Sequence, residues 1–170
     1  MKRPVFLVLL SLLATAAPGL ALAHQGHEHG KAPVEKAAPV GSEREKRLQK
    51  INETYVVRIK PIFRAKCFDC HSEETRFPWY YSIPGVKHFM DSDISEAKEH
   101  MEMSHDFPFR GHGTPEEDLD AIVASTAKGD MPPWYYRVMH PETKVTDDEA
   151  KQIVAWAKES RALLFWDAKE

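Results

Sequence analysis

The sequence predicts an all-α fold of about four helices joined by long loops. Apolar residues recur at the spacing of a helical face in several segments, and helix-capping patterns stand in front of three of them. No run alternates apolar and polar residues as a half-buried strand does, and no hairpin turn signal is present. The chain has 170 residues, which is enough for one domain with a modest core.

The first 23 residues are predicted to be a secretory signal peptide. Lys2 and Arg3 give a positive start, residues 6–13 are apolar, and Ala-Leu-Ala at positions 21–23 is a typical cleavage site. The apolar run is too short to span a bilayer, and no cysteine for lipid attachment follows the cleavage site. We therefore expect an exported, periplasmic and soluble protein that begins near His24 and has no stable membrane anchor.

The mature chain divides into a tail and a domain. Residues 24–41 are rich in His, Gly, Ala and Pro and lack apolar periodicity, so we expect a flexible tail, whereas residues 42–170 carry the helices. Loss of the two basic residues of the signal peptide changes the formal charge from −3 to −5. This mildly acidic chain lacks the basic surplus that binding to nucleic acid or anionic lipid would require.

The first helix is predicted to begin at the N-cap Ser42. Pro61 should kink or end this helix just before the cysteines. Residues 77–85 follow as an aromatic, proline-containing loop, and a second helix is predicted from Asp91 to about Ser104. The apolar stripe of the first helix consists of Leu48, Ile51, Tyr55, Ile59 and Ile62.

Two further helices carry strong start signals. Thr114-Pro115-Glu116-Glu117 combines an N-cap, a first-turn proline and a capping-box glutamate, and Gly129 can end that helix. Thr146 and Glu149 form a second capping box. The apolar positions behind these starts are Leu119, Ile122 and Val123 in the third helix, and Ile153, Val154, Trp156, Ala157 and Leu164 in the fourth.

Cys67, Cys70 and His71 form a Cys-x-x-Cys-His motif, the pattern of a c-type haem attachment site. Two thiols at this spacing can add to the two vinyl groups along one porphyrin edge, and the adjacent histidine can supply an imidazole nitrogen to the iron. The alternatives are a plain disulfide, a thioredoxin-like pair, which would need a βαβ context, and a zinc site, which would need more ligands. Because covalent attachment requires export, the signal peptide agrees with the haem interpretation. The sequence predicts one covalent haem c, which would also order the long loops.

Met131 is the preferred candidate for the second axial ligand of the iron. It lies in Gly-Asp-Met-Pro-Pro at positions 129–133, where prolines stiffen a loop after a helix end. Methionine and histidine together raise the reduction potential and leave no open position for a substrate. His140, on a nearby loop, is the leading alternative, and an open position is another. Most methionines are core filler, and Met90, Met101, Met103 and Met139 compete in principle. Met101 and Met103 are expected on a polar helix without a rigid loop.

Aromatic residues cluster around both motifs. Trp79 follows the attachment site and Tyr136 follows Met131. Both residues are candidates for the wall of a haem pocket, an interpretation that overlaps with ordinary core packing.

The tail contains a second candidate metal site. His24, His27 and His29 could gather copper, nickel or zinc, together with the new amino terminus if cleavage follows Ala23. The alternative is a leader whose histidines bind nothing specific.

The order of these motifs resembles the bacterial haem-binding domain family of monohaem c-type cytochromes. The resemblance covers roughly residues 50–160, and the His-rich tail before Gly41 lies outside it. It implies a cytochrome c-like helical fold with one covalent haem, in which the N-terminal helix crosses the C-terminal helix. The residues that carry it are Ile62-Phe63, Cys67-x-x-Cys70-His71-Ser72, Pro78-Trp79-Tyr80, Met131-Pro132, Tyr136, His140, Glu149 and Trp156.

Two main functions from different classes follow. The leading hypothesis is a periplasmic one-electron transfer protein without enzymatic activity, with axial ligands His71 and Met131 and with redox partner proteins that meet an exposed haem edge. The alternative is a haem-based sensor or a peroxidase-like enzyme with an open or histidine-occupied sixth position.

Overall fold

The computed structural model describes residues 41–165, and the structural statements below concern that range. The predicted signal peptide, the tail up to Val40, and the tail histidines His24, His27 and His29 lie outside the described residues, so those expectations stay predictions. The helices are α1 (Glu43–Thr54), a π-helical turn (Tyr55–Ile59), α2 (Lys60–Lys66), α3 (Phe68–His71), a 3₁₀ turn (Trp79–Ser82), α4 (Pro84–His100), α5 (Pro115–Lys128), α6 (Trp134–Met139), a second 3₁₀ turn (Pro141–Thr143) and α7 (Asp147–Phe165).

The all-α class is confirmed. Over residues 41–165 the extended pairing is limited to one isolated antiparallel bridge between Glu102 and Arg110. None of the helices in that range is long and apolar enough to cross a membrane.

The predicted N-cap of the first helix is confirmed. The Ser42 hydroxyl accepts a hydrogen bond from the Glu45 amide at 3.2 Å, and the Glu45 carboxylate accepts one from the Ser42 amide at 3.0 Å. This reciprocal pair satisfies two amides that a helix N-terminus leaves unpaired.

The first helix does not end at Pro61, which corrects one part of the prediction. Pro61 lies in the first turn of α2, and the chain remains helical to Lys66. A proline inside a helix removes one N–H donor and presses its ring on the carbonyl four residues earlier. The chain takes this up in the π turn Tyr55–Ile59, where the Lys60 amide donates to the Tyr55 carbonyl. The helix therefore widens before the proline and continues almost to Cys67.

The second predicted helix is displaced toward the N-terminus. Helix α4 begins at Pro84 rather than Asp91, because a proline at the first helical position needs no N–H partner and has a suitable φ. It ends at His100 rather than Ser104, because Glu102 pairs with Arg110 through N···O contacts of 2.6 and 3.1 Å. Met101 and Met103 are accordingly buried in the core on non-helical backbone, not on a polar helix as predicted.

The capping predictions for α5 and α7 are confirmed. The hydroxyl of Thr114 accepts from the Glu117 amide, and that of Thr146 accepts from the Glu149 amide, each at 3.3 Å. Gly129 ends α5 with a positive φ of 69°, the left-handed conformation that glycine adopts without a Cβ penalty.

The crossing of the terminal helices that the resemblance implied is present. Helix α7 packs against α1, the π turn and α5. At the crossing the rings of Tyr55 and Trp156 are 5.6 Å apart. The core around them consists of Ile51, Tyr55, Ile59, Phe63, Phe68, Met101, Met103, Phe107, Phe109, Leu119, Ile122, Ile153, Trp156, Ala157 and Leu164.

Candidate functional site

The Cys-x-x-Cys-His motif folds into a single helical turn at the end of α2. The amides of Cys70 and His71 donate to the Cys67 carbonyl at 3.1 and 3.0 Å, which places the two thiols and the imidazole close together. Phe68 is 2 % exposed and fixes this turn to the core. Ser72 is fully buried and closes the turn by donating its hydroxyl to the Phe68 carbonyl at 2.8 Å.

The two cysteines are unpaired thiols. Burial raises the pKa of Cys67 to about 12 and that of Cys70 to about 11, and each is raised further by charge on a neighbouring group. Both are therefore protonated at neutral pH, in contrast to the thiolate of a redox-active Cys-x-x-Cys pair. The disulfide alternative is not what the structure shows.

His71 is oriented as a metal-binding histidine usually is. Its Nδ1 lies 2.8 Å from the Met101 carbonyl, which can only accept, so Nδ1 carries the proton. Burial lowers the pKa of the imidazole, which favours this neutral form. A second hydrogen bond, from the Met103 amide to the His71 carbonyl at 2.6 Å, fixes the backbone on the same segment. A ligand histidine that donates its other N–H to a carbonyl is the common arrangement at metal sites.

Several large apolar side chains near this turn are exposed. Contacts join α3 to α4, and α4 to the turn Trp79–Ser82. A small soluble domain seldom leaves so many large apolar groups in water unless a ligand or partner covers them. A flat, largely apolar cofactor such as haem is one ligand that would cover such groups. The exposed residues in the segment from 77 to 139 include Phe77, Trp79, Ile83, Phe89, Met131, Trp134, Val138 and Met139.

Met131 lies between the end of α5 and the start of α6. Two hydrogen bonds close the α5 terminus: the Gly129 amide donates to the Thr126 carbonyl and the Asp130 amide to the Ser125 carbonyl, each at 3.2 Å. Pro132, directly after Met131, is buried, whereas the Met131 side chain is 47 % exposed. The thioether is thus an available donor on a fixed stretch of backbone.

Helix α6, which is not among the four predicted helices, brings Tyr136 and His140 to the motif. The Tyr136 hydroxyl donates to Oδ2 of Asp69, between the two cysteines, at 3.1 Å. Its ring stacks on His140 with centroids 4.4 Å apart and planes 20° apart. Burial, and then the charge of Asp69, raise the pKa of Tyr136 well above its usual range, so the phenol keeps its proton.

Both ring nitrogens of His140 are engaged. Nδ1 lies 3.3 Å from the Glu142 carboxylate, which can only accept, and Nε2 is hydrogen-bonded to the Tyr80 hydroxyl. An imidazole in this state has no free lone pair.

The structure therefore joins five of the sequence-predicted site residues, in two groups. Cys67, Cys70 and His71 form one turn, and Tyr136 and His140 contact it through Asp69. Trp79 is 80 % exposed and touches Tyr80 edge-on at 5.7 Å, so its position as a pocket wall stays a prediction.

Sequence reasoning missed the residues that orient the site. Asp69 occupies a variable position of the motif, so no spacing rule marks it or its pairing with Arg76. The Met101 carbonyl is a backbone group, which no side-chain pattern reveals. Among residues 41–165 no group of three or more His, Cys, Asp or Glu side chains is placed to hold a metal ion.

Comparisons with known proteins agree with the haem assignment. Residues 31–159 match the haem-binding domain family. Cytochrome c peroxidase Ccp of Escherichia coli (strain K12) is 33 % identical over 98 residues, which are 56 % of this chain and 21 % of that protein. The chain thus spans about a fifth of the length of this curated relative. No solved structure matches. With the family match extending over most of its length, this chain is a haem-binding protein of the haem-binding domain family.

Proposed function

We propose that this protein is an exported monohaem c-type cytochrome that transfers single electrons. In this proposal Cys67 and Cys70 bind the haem covalently, and His71 and Met131 are the axial ligands. A haem iron held by two protein ligands supplies reversible one-electron exchange and has no open position for a substrate.

The orientation of His71 supports its part as proximal ligand. The bond from Nδ1 to the Met101 carbonyl fixes the tautomer and aims the imidazole. Such an outer partner raises the basicity of the ligand nitrogen and keeps the ring from rotating. The motif turn then keeps the thiols of Cys67 and Cys70 in the same helical turn as the imidazole of His71.

The contrast between Met131 and His140 is the single observation that carries the electron-transfer proposal. The Met131 side chain is half exposed on a segment whose helix α6 is hydrogen-bonded to the motif. His140 reaches the same region, but both of its ring nitrogens already have partners. To bind iron, His140 would have to break one of its hydrogen bonds. Met131 would break none, because a thioether sulfur is only a weak acceptor and does not need a hydrogen-bond partner.

Visible and near-infrared spectra of the haem-loaded protein test this proposal. The wild-type protein should be low-spin, show the charge-transfer band of a methionine sulfur on ferric haem, and bind carbon monoxide slowly. Met131→Ala should lose the band and bind carbon monoxide readily. Met139→Ala removes another exposed methionine from the same part of the chain and should behave as wild type. A high-spin wild-type protein that binds carbon monoxide at once would contradict the electron-transfer assignment.

A role in peroxide reduction is the second candidate, and the identity to cytochrome c peroxidase Ccp favours it. This chain corresponds to only a fifth of that protein. The chain could itself react with hydrogen peroxide through an open or labile sixth position. Rapid loss of peroxide with the isolated haem protein, retained in Met131→Ala, would favour this candidate over electron transfer.

A further inference from the structure

We propose that Asp69 and Tyr136 are positioning residues that hold the Met131 segment against the haem attachment turn. This inference rests on the proposed function, because it assigns their hydrogen bond the task of keeping Met131 within reach of the iron. The contact itself is between two side chains that no sequence pattern connects.

Asp69 is held rigidly enough to serve as an anchor. Its Oδ1 accepts from Nε of Arg76 at 3.1 Å and from the Arg76 amide at 3.2 Å, and its Oδ2 accepts from Nη2 at 3.2 Å. The Asp69 side chain is 16 % exposed and the Arg76 side chain is 72 % exposed, so the carboxylate side of the pair is shielded from water. Paired arginine–carboxylate bonds fix both distance and direction, which leaves Oδ2 aimed at the Tyr136 hydroxyl.

Tyr136 is in turn held on its other side. Its ring stacks on His140, and His140 is bound to Tyr80 in the turn that follows the motif. The contacts therefore link the motif turn to Tyr136 of α6, Tyr136 to His140, and His140 to Tyr80 in the segment that follows the motif. Because the Tyr136 side chain is fixed at its ring face and at its hydroxyl, it restricts the position of the α6 backbone to which it is attached.

Helix α6 needs such an anchor because it is short. It has six residues, and an isolated helix of that length is not stable in water. Its residues Trp134, Val138 and Met139 are exposed, so little apolar burial fixes it. Met131 stands just before α6, next to the buried Pro132, and the hydrogen bonds of Gly129 and Asp130 to the end of α5 fix the other side of its loop. The Asp69–Tyr136 bond is the direct polar contact from α6 to the motif turn.

Tyr135 provides a matched control for Tyr136. Its hydroxyl donates to Asp93 at 3.0 Å, so it also bonds a carboxylate from the same helix, but on α4 rather than in the motif turn. Tyr136→Phe and Tyr135→Phe each remove one hydroxyl and keep the ring. The experiment uses the haem-loaded full-length mature protein and measures the rate at which added imidazole abolishes the methionine charge-transfer band.

Tyr136→Phe should raise this rate about tenfold or more, as expected for loss of a hydrogen bond to a charged group worth about 1.4 kcal/mol or more. Tyr135→Phe should keep the wild-type rate. Asp69→Ala should raise the rate as Tyr136→Phe does, and the double variant should add little if the two residues act through one bond.

The outcomes separate this inference from the proposed function. A wild-type spectrum without the methionine band overturns the ligand assignment and with it this inference. A wild-type protein that shows the band, with a Tyr136→Phe rate equal to wild type, overturns the inference alone. Equal acceleration by Tyr135→Phe and Tyr136→Phe also overturns it, because the effect would then be general loosening of α6.

Discussion

At the scale of single residues, the site depends on groups that orient other groups. His71 is aimed by a backbone carbonyl, Asp69 by a guanidinium, and Tyr136 by Asp69 and His140. Each of these partners restricts the direction of the side chain, and Asp69 also raises the pKa of Tyr136. Ligand geometry at metal centres usually depends on such outer contacts as much as on the ligands.

Asp118 gives a prediction at the same scale, about pH and stability. It is 3 % exposed, and its Oδ2 has no hydrogen-bond partner among the described residues. Burial, assisted by the charge of Glu117, raises its pKa to about 6, above the value near 3.9 expected in the unfolded chain. The folded state therefore binds this proton more tightly, and its stability should fall as pH rises from about 4 to about 6 and then level off.

The expected size of this effect is on the order of 3 kcal/mol. In Asp118→Asn the side chain cannot ionise, so that part of the pH dependence should disappear. Urea unfolding followed by far-ultraviolet circular dichroism at pH 4, 5, 6 and 7 measures it in both proteins. Parallel curves of unfolding free energy against pH for wild type and Asp118→Asn would contradict the assignment.

The sequence predicts the chemistry of single residues well where a motif has a fixed spacing. Cys67, Cys70 and His71 are close together because the spacing itself makes one helical turn. Asp118 could not be predicted, because a carboxylate in the first turn of a helix is normally exposed and favourable there. Its burial comes from loop packing: a Cβ at Gly113 would lie 2.3 Å from its Oδ1.

At the scale of elements, helix ends decide where the site residues lie. The Gly129 cap ends α5 and directs the chain into the Met131 loop. The π turn before Pro61 lets α2 continue to the motif. Capping boxes were predictable because they are local sequence patterns, whereas the end of α4 depends on the distant pairing of Glu102 with Arg110.

Gly129→Ala should destabilise the protein by roughly 1 kcal/mol, because a residue with a Cβ is strained at a φ of 69°. Gly85 is the matched control: it lies in the first turn of α4, and a Cβ there would meet nothing within 4 Å. Gly85→Ala should be neutral or stabilising by up to about 1 kcal/mol. Urea unfolding at one pH compares the two. The account of the cap is wrong if both variants shift stability in the same direction.

At the scale of the whole molecule, the helical crossing and the exposed apolar surface belong together. The core at Tyr55 and Trp156 is closed, whereas apolar side chains near the motif remain in contact with water. The helix pairing could be predicted from the apolar stripes and the resemblance. The open apolar surface could not, because residues that cover a cofactor and residues that cover a core have the same composition.

Removal of the two thiols that are proposed to bind the haem should therefore lower thermal stability. In Cys67→Ser/Cys70→Ser the apolar surface stays in water, so the variant loses several kcal/mol of stabilisation from apolar burial. Each kcal/mol corresponds to about 2–4 °C in melting temperature, so the variant should unfold on the order of 10 °C below the haem-loaded protein. It should also bind more of a hydrophobic fluorescent dye. Differential scanning calorimetry and dye titration check both expectations. Equal melting temperatures with equal dye binding would show that haem does not cover this surface.

The mass of the intact protein, isolated after expression with the c-type haem attachment machinery, tests the central claim most directly. The account predicts one species: a chain that begins near His24 and carries the mass of a single haem that survives denaturation. Cys67→Ser/Cys70→Ser should lack that added mass. A wild-type protein with the mass of the polypeptide alone under these conditions would contradict the assignment of a monohaem c-type cytochrome.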